Sequence, residues 1–212
     1  MQAFKTHRGR VVPVDRANID TDQIIPKQFL KSIRRTGFGE ALFFDWARCA
    51  DGSPNPGFTL NQERYGGATI LLVRNNFGCG SSREHAVWAV MQAGFQAVIA
   101  PAIERSGQRL KGFADIFANN AVKNGLLTVE LPEAVVDELF AFAARFPGLE
   151  LTVDLDEQRV VVHMGEEANY HFDVDPAVKG HLIRGLDEIG LTLEHAGSIQ
   201  RFEQRHRVQM PA

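Results

Sequence analysis

Arg74-Asn-Asn-Phe-Gly-Cys-Gly-Ser-Ser-Arg-Glu-His-Ala-Val-Trp-Ala89 carries the strongest local pattern in the chain. The apolar run before it, Ala68-Thr-Ile-Leu-Leu-Val73, predicts a buried strand. Phe77-Gly-Cys-Gly80 then reads as a tight turn, and a helix is expected to open from Ser81. Ser81 and Glu84 fit the capping-box spacing, in which the hydroxyl accepts from the amide three residues on and the carboxylate reaches back. Glycines ahead of a helix let backbone amides approach an anion, and the helix dipole favours negative charge there. Arg83 adds a planar fork suited to a carboxylate. By itself a Ser-x-x-Glu start is commonly only a cap, and a glycine there only a turn. Read functionally, Gly80, Ser81, Ser82 and Arg83 gather amides, two hydroxyls and a guanidinium around a small anion.

Working outward, Phe4 to Val14 predicts a first strand, and Asp15 to Asp22 a turn-rich segment. Asp20 and Asp22 read either as turn and cap residues or as a carboxylate that orients an arginine or another site group. Lys31 to Gly39 is basic and then glycine-rich, a loop. Glu40 to Trp46 has helical spacing, and Asp51-Gly-Ser-Pro-Asn-Pro56 breaks it. Downstream of the central turn, Gly94 ends a helix and Phe95 to Ala100 predicts a second parallel strand. Phe113 to Val122 predicts a helix stopped by Lys123-Asn-Gly125, and Leu126 to Leu131 a third strand. Glu133 to Phe146 is a helix with an apolar face. Three antiparallel strands are expected over 149–155, 159–164 and 169–174, followed by a short helix over 176–185 and helical segments to the end. This alternation is that of an α/β fold.

Composition limits the function classes. The 212 residues suit one domain, here 1–212, with a helical extension at about 195–212, and 44% hydrophobic residues allow a substantial core. A net charge of −3 with both signs dispersed gives no basic patch for nucleic acid. No apolar run has membrane-spanning length, and the first residues lack the apolar core of a secretory signal, so no membrane role is expected and the cytoplasm is the default. Cys49 and Cys79 are too few to ligate an iron–sulfur cluster or structural zinc unaided. Cys79, close to the expected helix start, reads as a thiol whose thiolate would be stabilised.

Gly78-Cys-Gly-Ser-Ser-Arg-Glu-His-Ala86 and Asn18-Ile-Asp-Thr-Asp-Gln-Ile-Ile-Pro26 together resemble the swivel domain of the aconitase superfamily. Arg35-Thr-Gly-Phe-Gly39, Phe113-Ala-Asp-Ile-Phe117, Lys123-Asn-Gly-Leu-Leu127 and Gly185-Leu-Asp-Glu-Ile-Gly-Leu-Thr-Leu193 are similar to the small-subunit branch of bacterial isopropylmalate dehydratases. The resemblance implies a swivelling β/β/α three-layer domain. It implies a large-subunit partner carrying a 4Fe-4S cluster, with no cofactor on this chain and a small acid as substrate. It implies a hydro-lyase that interconverts 2- and 3-isopropylmalate by dehydration and rehydration in leucine biosynthesis. Ser81 maps to the base and Asp22 to an active-site aspartate. Ser82 and Gly80 map to substrate positioning, and Arg83 to a carboxylate. The loop from Phe29 to Gly39 maps to the segment that reads the distinguishing substituent, with Ile33 or Phe29 for an alkyl group and Arg34 for a charged one.

Two alternatives accompany that reading. One is a small subunit of a related hydro-lyase acting on citraconate or methylmalate, homoaconitate or dimethylmalate. The other is a degenerate swivel domain that only binds a partner. Where the family runs almost directly from Ala-Pro into Phe-Ala-Asp-Ile-Phe, Ala102 to Gly112 intervenes here, and it is expected to lengthen a loop or the helix start. Thr128, where proline is common, is a minor departure.

Overall fold

A computed structural model describes residues 1–31, 35–164 and 168–206. Strand β1 spans Thr6–Val14, and a single helical turn, α1, spans Thr21–Ile24. Short 3-10 turns and a second single turn, α2 (Phe44–Ala47), lead to β2 (Ala68–Val73), α3 (Glu84–Gln92) and β3 (Ala97–Arg105). Then come β4 (Gln108–Leu110), α4 (Asp115–Asn124), β5 (Leu127–Pro132) and α5 (Glu133–Arg145). Strands β6 (Glu150–Asp154), β7 (Arg159–Val162) and β8 (Ala168–His171) precede three helices, α6 (Pro176–Arg184), α7 (Glu188–Glu194) and α8 (Ala196–Arg205).

The apolar runs at 70–73 in β2 and 97–100 in β3 are explained by what lies on each face of the sheet. Side chains alternate across a strand, so a strand covered on both sides needs apolar residues at every position. Leu71, Val73, Val98 and Ala100 join Val12 and Val14 in one core with Ala86, Val90 and Phe117 of α3 and α4. Ile70, Leu72, Ala97 and Ile99 point the other way, into a second core with Val136, Leu139 and Phe140 of α5 and Val153, Val160 and Leu182. Strand β6, covered on one face only, alternates buried and half-exposed instead.

Parallel pairing runs β1–β2–β3–β5, and β6, β7 and β8 add antiparallel strands beyond β1. The curled sheet, with helices α3 and α4 on one side and α5 on the other, bears out the α/β class. The C-terminal ends of β1 and β2 lie in register, Val14 beside Val73, so the loops leaving them emerge side by side.

Two local expectations fail. Residues 102–112 neither lengthen a loop nor extend a helix start. β3 continues to Arg105, turns at Ser106 and Gly107, both left-handed (φ +51° and +74°), and returns as β4. The hairpin forms because this stretch holds a tight turn between segments that can pair. Ion pairs then fasten it to the body: Arg105 to Glu133, Arg109 to Glu130 and Lys111 to Asp115. The helix expected from Ser81 starts at Glu84 instead, for reasons that lie in the site.

Candidate active site

The site forms where the loops after β1 and β2 are laced together. Gly78 N–H donates to the carbonyl of Ile19 at 2.8 Å, Thr21 N–H to that of Cys79 at 2.9 Å, and Thr21 Oγ1 to that of Ser81 at 2.9 Å. Thr21 is 3% exposed, a buried polar residue whose hydroxyl is satisfied by the opposite loop. Asn18 and Asn76, both left-handed, add a side-chain hydrogen bond of 2.8 Å between the same loops. Left-handed asparagine costs little because its short amide can bond locally.

This lacing explains the late helix start. Ser81 is held by its carbonyl, Arg83 is extended (φ −141°, ψ 110°), and only Glu84 enters the helix. The Ser81–Glu84 capping box therefore does not form, and Arg83 is the N-cap residue without a side-chain cap. The Glu84 carboxylate accepts instead from Asn124 Nδ2 at 2.9 Å, while Asn124 Oδ1 accepts from Trp88 Nε1. The reciprocal box belongs to the other loop: Asp20 Oδ1 accepts from Gln23 N–H at 2.7 Å, and the Gln23 side chain accepts from Asp20 N–H. The cap reading of Asp20 is the correct one.

Arg83 is nearly covered, with 13% of its side chain exposed, and its Nη1 meets Oδ1 of Asp22 in an ion pair. The other carboxylate oxygen of Asp22 lies 3.5 Å from Lys27 Nζ. A guanidinium held this way is fixed in orientation, while the Asp22 side chain stays 40% exposed on the solvent side of the pair. Beside it, Gly80, Ser81 and Ser82 are exposed. Gly80 is left-handed (φ +87°), and a Cβ there would sit 3.5 Å from Asp20 Cβ, so the turn brings the two loops close. Of the residues singled out from sequence, Arg83 and Asp22 are thus brought into contact, and Gly80, Ser81 and Ser82 run exposed directly before Arg83 in the chain. Ile33 and Arg34 lie outside the described residues. Phe29 is half-buried against Phe44, ring centroids 5.0 Å apart.

The Cys79 reading is corrected. Burial, and secondly the nearby Asp20 carboxylate, push the Cys79 thiol up from its ordinary pKa. With the helix beginning five residues later, its dipole does not reach the sulfur to stabilise a thiolate. Among the described residues no cluster of three or more His, Cys, Asp or Glu is arranged to hold a metal. No described helix is long and apolar enough to cross a membrane.

A cavity of about 880 Å³ lies alongside, between the hairpin and the loop bases, lined by Asn18, Asn76, Arg74 and Arg109 among others. Ser81, Ser82, Arg83 and Asp22 are not in its lining. Its arginines are already engaged: Arg74 with Asp15 and Asp137, Arg105 with Glu133, and Arg109 with Glu130. The chemistry-bearing stretch is open surface: exposed Ser81 and Ser82 next to the Asp22–Arg83 ion pair, rather than the larger hollow, form the candidate site.

Residues 1–134 match the family model for the aconitase C-terminal domain. Residues 188–212 match that for the C-terminal domain of the 3-isopropylmalate dehydratase small subunit, and 137–176 match LeuD_N. The chain belongs to the 3-isopropylmalate dehydratase small-subunit family. Small subunits from Desulforapulum autotrophicum and Methylibium petroleiphilum are 51% and 53% identical to it, over 99% and 100% of this chain and 98% and 96% of theirs. One from Delftia acidovorans is 52% identical. A crystal structure of 3-isopropylmalate dehydratase from Methanocaldococcus jannaschii superposes with a TM-score of 0.61 at 25% identity, covering 93% of this chain and 99% of that one.

Three supporting residues escape a reading of the sequence. Thr21 and Asn124 act through partners 60 and 40 positions away, and Gln92 lies at the far end of α3. Thr21 alone has a signal, since it sits inside the Ile19-Asp-Thr-Asp22 string.

Proposed function

We propose that this chain is the small subunit of a cytoplasmic 3-isopropylmalate dehydratase that interconverts 2- and 3-isopropylmalate on the way to leucine and works only with its large subunit. The observation that carries the reading is the Asp22–Arg83 ion pair, held across laced loops directly after exposed Ser81 and Ser82, in a chain about half identical to such subunits along its full length. Expelling hydroxide from the substrate calls for a Lewis acid, and the resemblance assigns that chemistry to a 4Fe-4S cluster on the partner. Two cysteines on separate loops of this chain could not ligate such a cluster.

The other half of the reaction falls to this chain. The carbon-bound proton is weakly acidic, so its removal requires a base stronger than a neutral hydroxyl. Ser81 serves as that base in its alkoxide form, stabilised by the Arg83 charge and the amides of the Gly80 turn. Arg83 holds a substrate carboxylate with the donors that Asp22 leaves free, while Asp22 keeps the guanidinium from swinging away. Ser82 and Gly80 fix the orientation of the bound acid. Because this face is open, a partner chain is needed to exclude water from it.

The test is anaerobic co-expression with the large subunit and an absorbance assay for the alkene formed from 3-isopropylmalate. Turnover is expected only with both chains present, and Ser81→Ala should lower kcat by at least about a hundredfold. Near-normal turnover by that variant would remove Ser81 as base. Activity confined to a citramalate-type acid would move the reading to a related hydro-lyase.

A further inference from the structure

Helix α3 joins two features that the sequence presents as separate. Its N-cap residue is Arg83 and its last residue is Gln92, nine residues or about 13 Å along the axis. The Gln92 side chain does not serve its own helix. Its Nε2 donates to the carbonyl of Arg35 at 2.8 Å, and its Oε1 accepts from Phe38 N–H at 2.9 Å. One amide thus closes both ends of a four-residue turn in the Arg35–Gly39 segment. Gly39 lies so close that a Cβ would come 2.5 Å from the Gln92 carbonyl oxygen.

From that anchor the side chains of Phe38 and Arg35 lie along α3 towards its N-terminal end. The Phe38 ring packs edge-on against His85, centroids 5.2 Å apart, and lies 5.7 Å from Trp88, whose face also carries the Arg35 guanidinium. His85 is two residues from Arg83. On the other side of the segment, Lys27 reaches Asp22, the partner of Arg83. One flank of the 27–39 stretch is therefore tied to Asp22, and the other to the helix that begins after Arg83.

We propose that Gln92 is a positioning residue for substrate selectivity: its side-chain amide fixes the Arg35–Gly39 segment relative to Arg83. The inference rests on the dehydratase reading above, in which Arg83 holds a carboxylate. The substituent that distinguishes one such acid from another then extends towards the neighbouring segment, and its recognition depends on how firmly that segment is held. The proton transfer at Ser81 does not depend on it.

The experiment uses the assembled two-chain enzyme with Gln92→Met, which keeps length and loses both hydrogen bonds. Gln92→Glu keeps an acceptor for Phe38 N–H but sets a carboxylate against the Arg35 carbonyl. The readouts are kcat and KM for 3-isopropylmalate, the Ki of malate, which carries the carboxylates and hydroxyl without the branch, and the melting temperature. Losing two hydrogen bonds to the segment should raise KM about tenfold or more. We expect kcat and the Ki of malate to stay within about twofold, and Gln92→Glu to be no better than Gln92→Met. An unchanged ratio of KM to the Ki of malate would overturn the proposal, as would a parallel rise in both accompanied by a lower melting temperature, the signature of a purely structural role. If the ratio holds in an enzyme that Ser81→Ala inactivates, Gln92 alone is refuted. If the wild-type complex fails on 3-isopropylmalate, the functional reading and this inference fall together.

Discussion

Gly78→Ala is the substitution whose cost follows most directly from the structure. Gly78 is left-handed (φ +75°), and a Cβ there would lie 2.4–2.5 Å from Cγ, Cβ and Cδ2 of Phe117, more than an ångström inside normal contact. Phe117 cannot withdraw: it is 1% exposed, edge-on to Phe77 at 5.0 Å and stacked on Phe113 at 6.3 Å. The left-handed backbone costs an alanine about 1–2 kcal/mol. Overpacking a closed core costs about 1–3 kcal/mol more. Reduced freedom of the unfolded chain returns about 0.4–1 kcal/mol. The net loss is about 2–4 kcal/mol, or a fall in melting temperature on the order of 5–15 °C for a chain of this length. Gly67→Ala is the control, because Gly67 is also left-handed (φ +72°) but has open space where the Cβ would go. It should cost only about 1 kcal/mol, the backbone part less the return from the unfolded chain. Denaturant unfolding of both variants, followed by circular dichroism, separates the two contributions. Gly78→Ala should also lower activity in the complex, since Gly78 N–H holds the first loop through Ile19. Equal losses for the two variants would refute the argument that close approach to Phe117 is what demands glycine at this turn.

Two further outcomes follow from the site. Arg83→Lys keeps the charge beside Asp22 but loses the fork, so KM for the substrate should rise about tenfold in steady-state assays of the complex; unchanged kcat and KM would take Arg83 out of substrate binding. The Cys79 thiol, its pKa raised by burial and then by Asp20, stays protonated at pH 8 to a greater extent than a free cysteine. Alkylation followed by mass spectrometry should therefore be slower at Cys79 than in an unstructured peptide. Asp20→Asn, which preserves the cap, should speed it; faster labelling of the wild-type residue than of the peptide would contradict the assignment.

Much of the architecture is legible in local patterns. The runs at 70–73 and 97–100 announce buried strands because both faces of the sheet are covered there, leaving no position for a polar side chain. Gly125 and Gly185 mark helix ends because each adopts the left-handed conformation that closes a C-terminus. The 102–112 stretch is less legible. Its pairing as a hairpin depends on an exposed three-residue return strand with no apolar alternation, and on ion pairs to residues on α4, β5 and α5.

The α/β class, the family and the chemical identity of the candidate-site residues are all written locally, since hydroxyls, guanidinium and carboxylate stand within two short strings. How those groups pair is settled in three dimensions. The capping box expected at Ser81 moves to Asp20, Arg83 turns to Asp22, Glu84 turns to Asn124, and Gln92 clasps Arg35 and Phe38. A short motif specifies which donors and acceptors are available. The choice among partners is made by the register that sets Val14 beside Val73 and brings two loops, some 60 residues apart in sequence, within hydrogen-bonding distance.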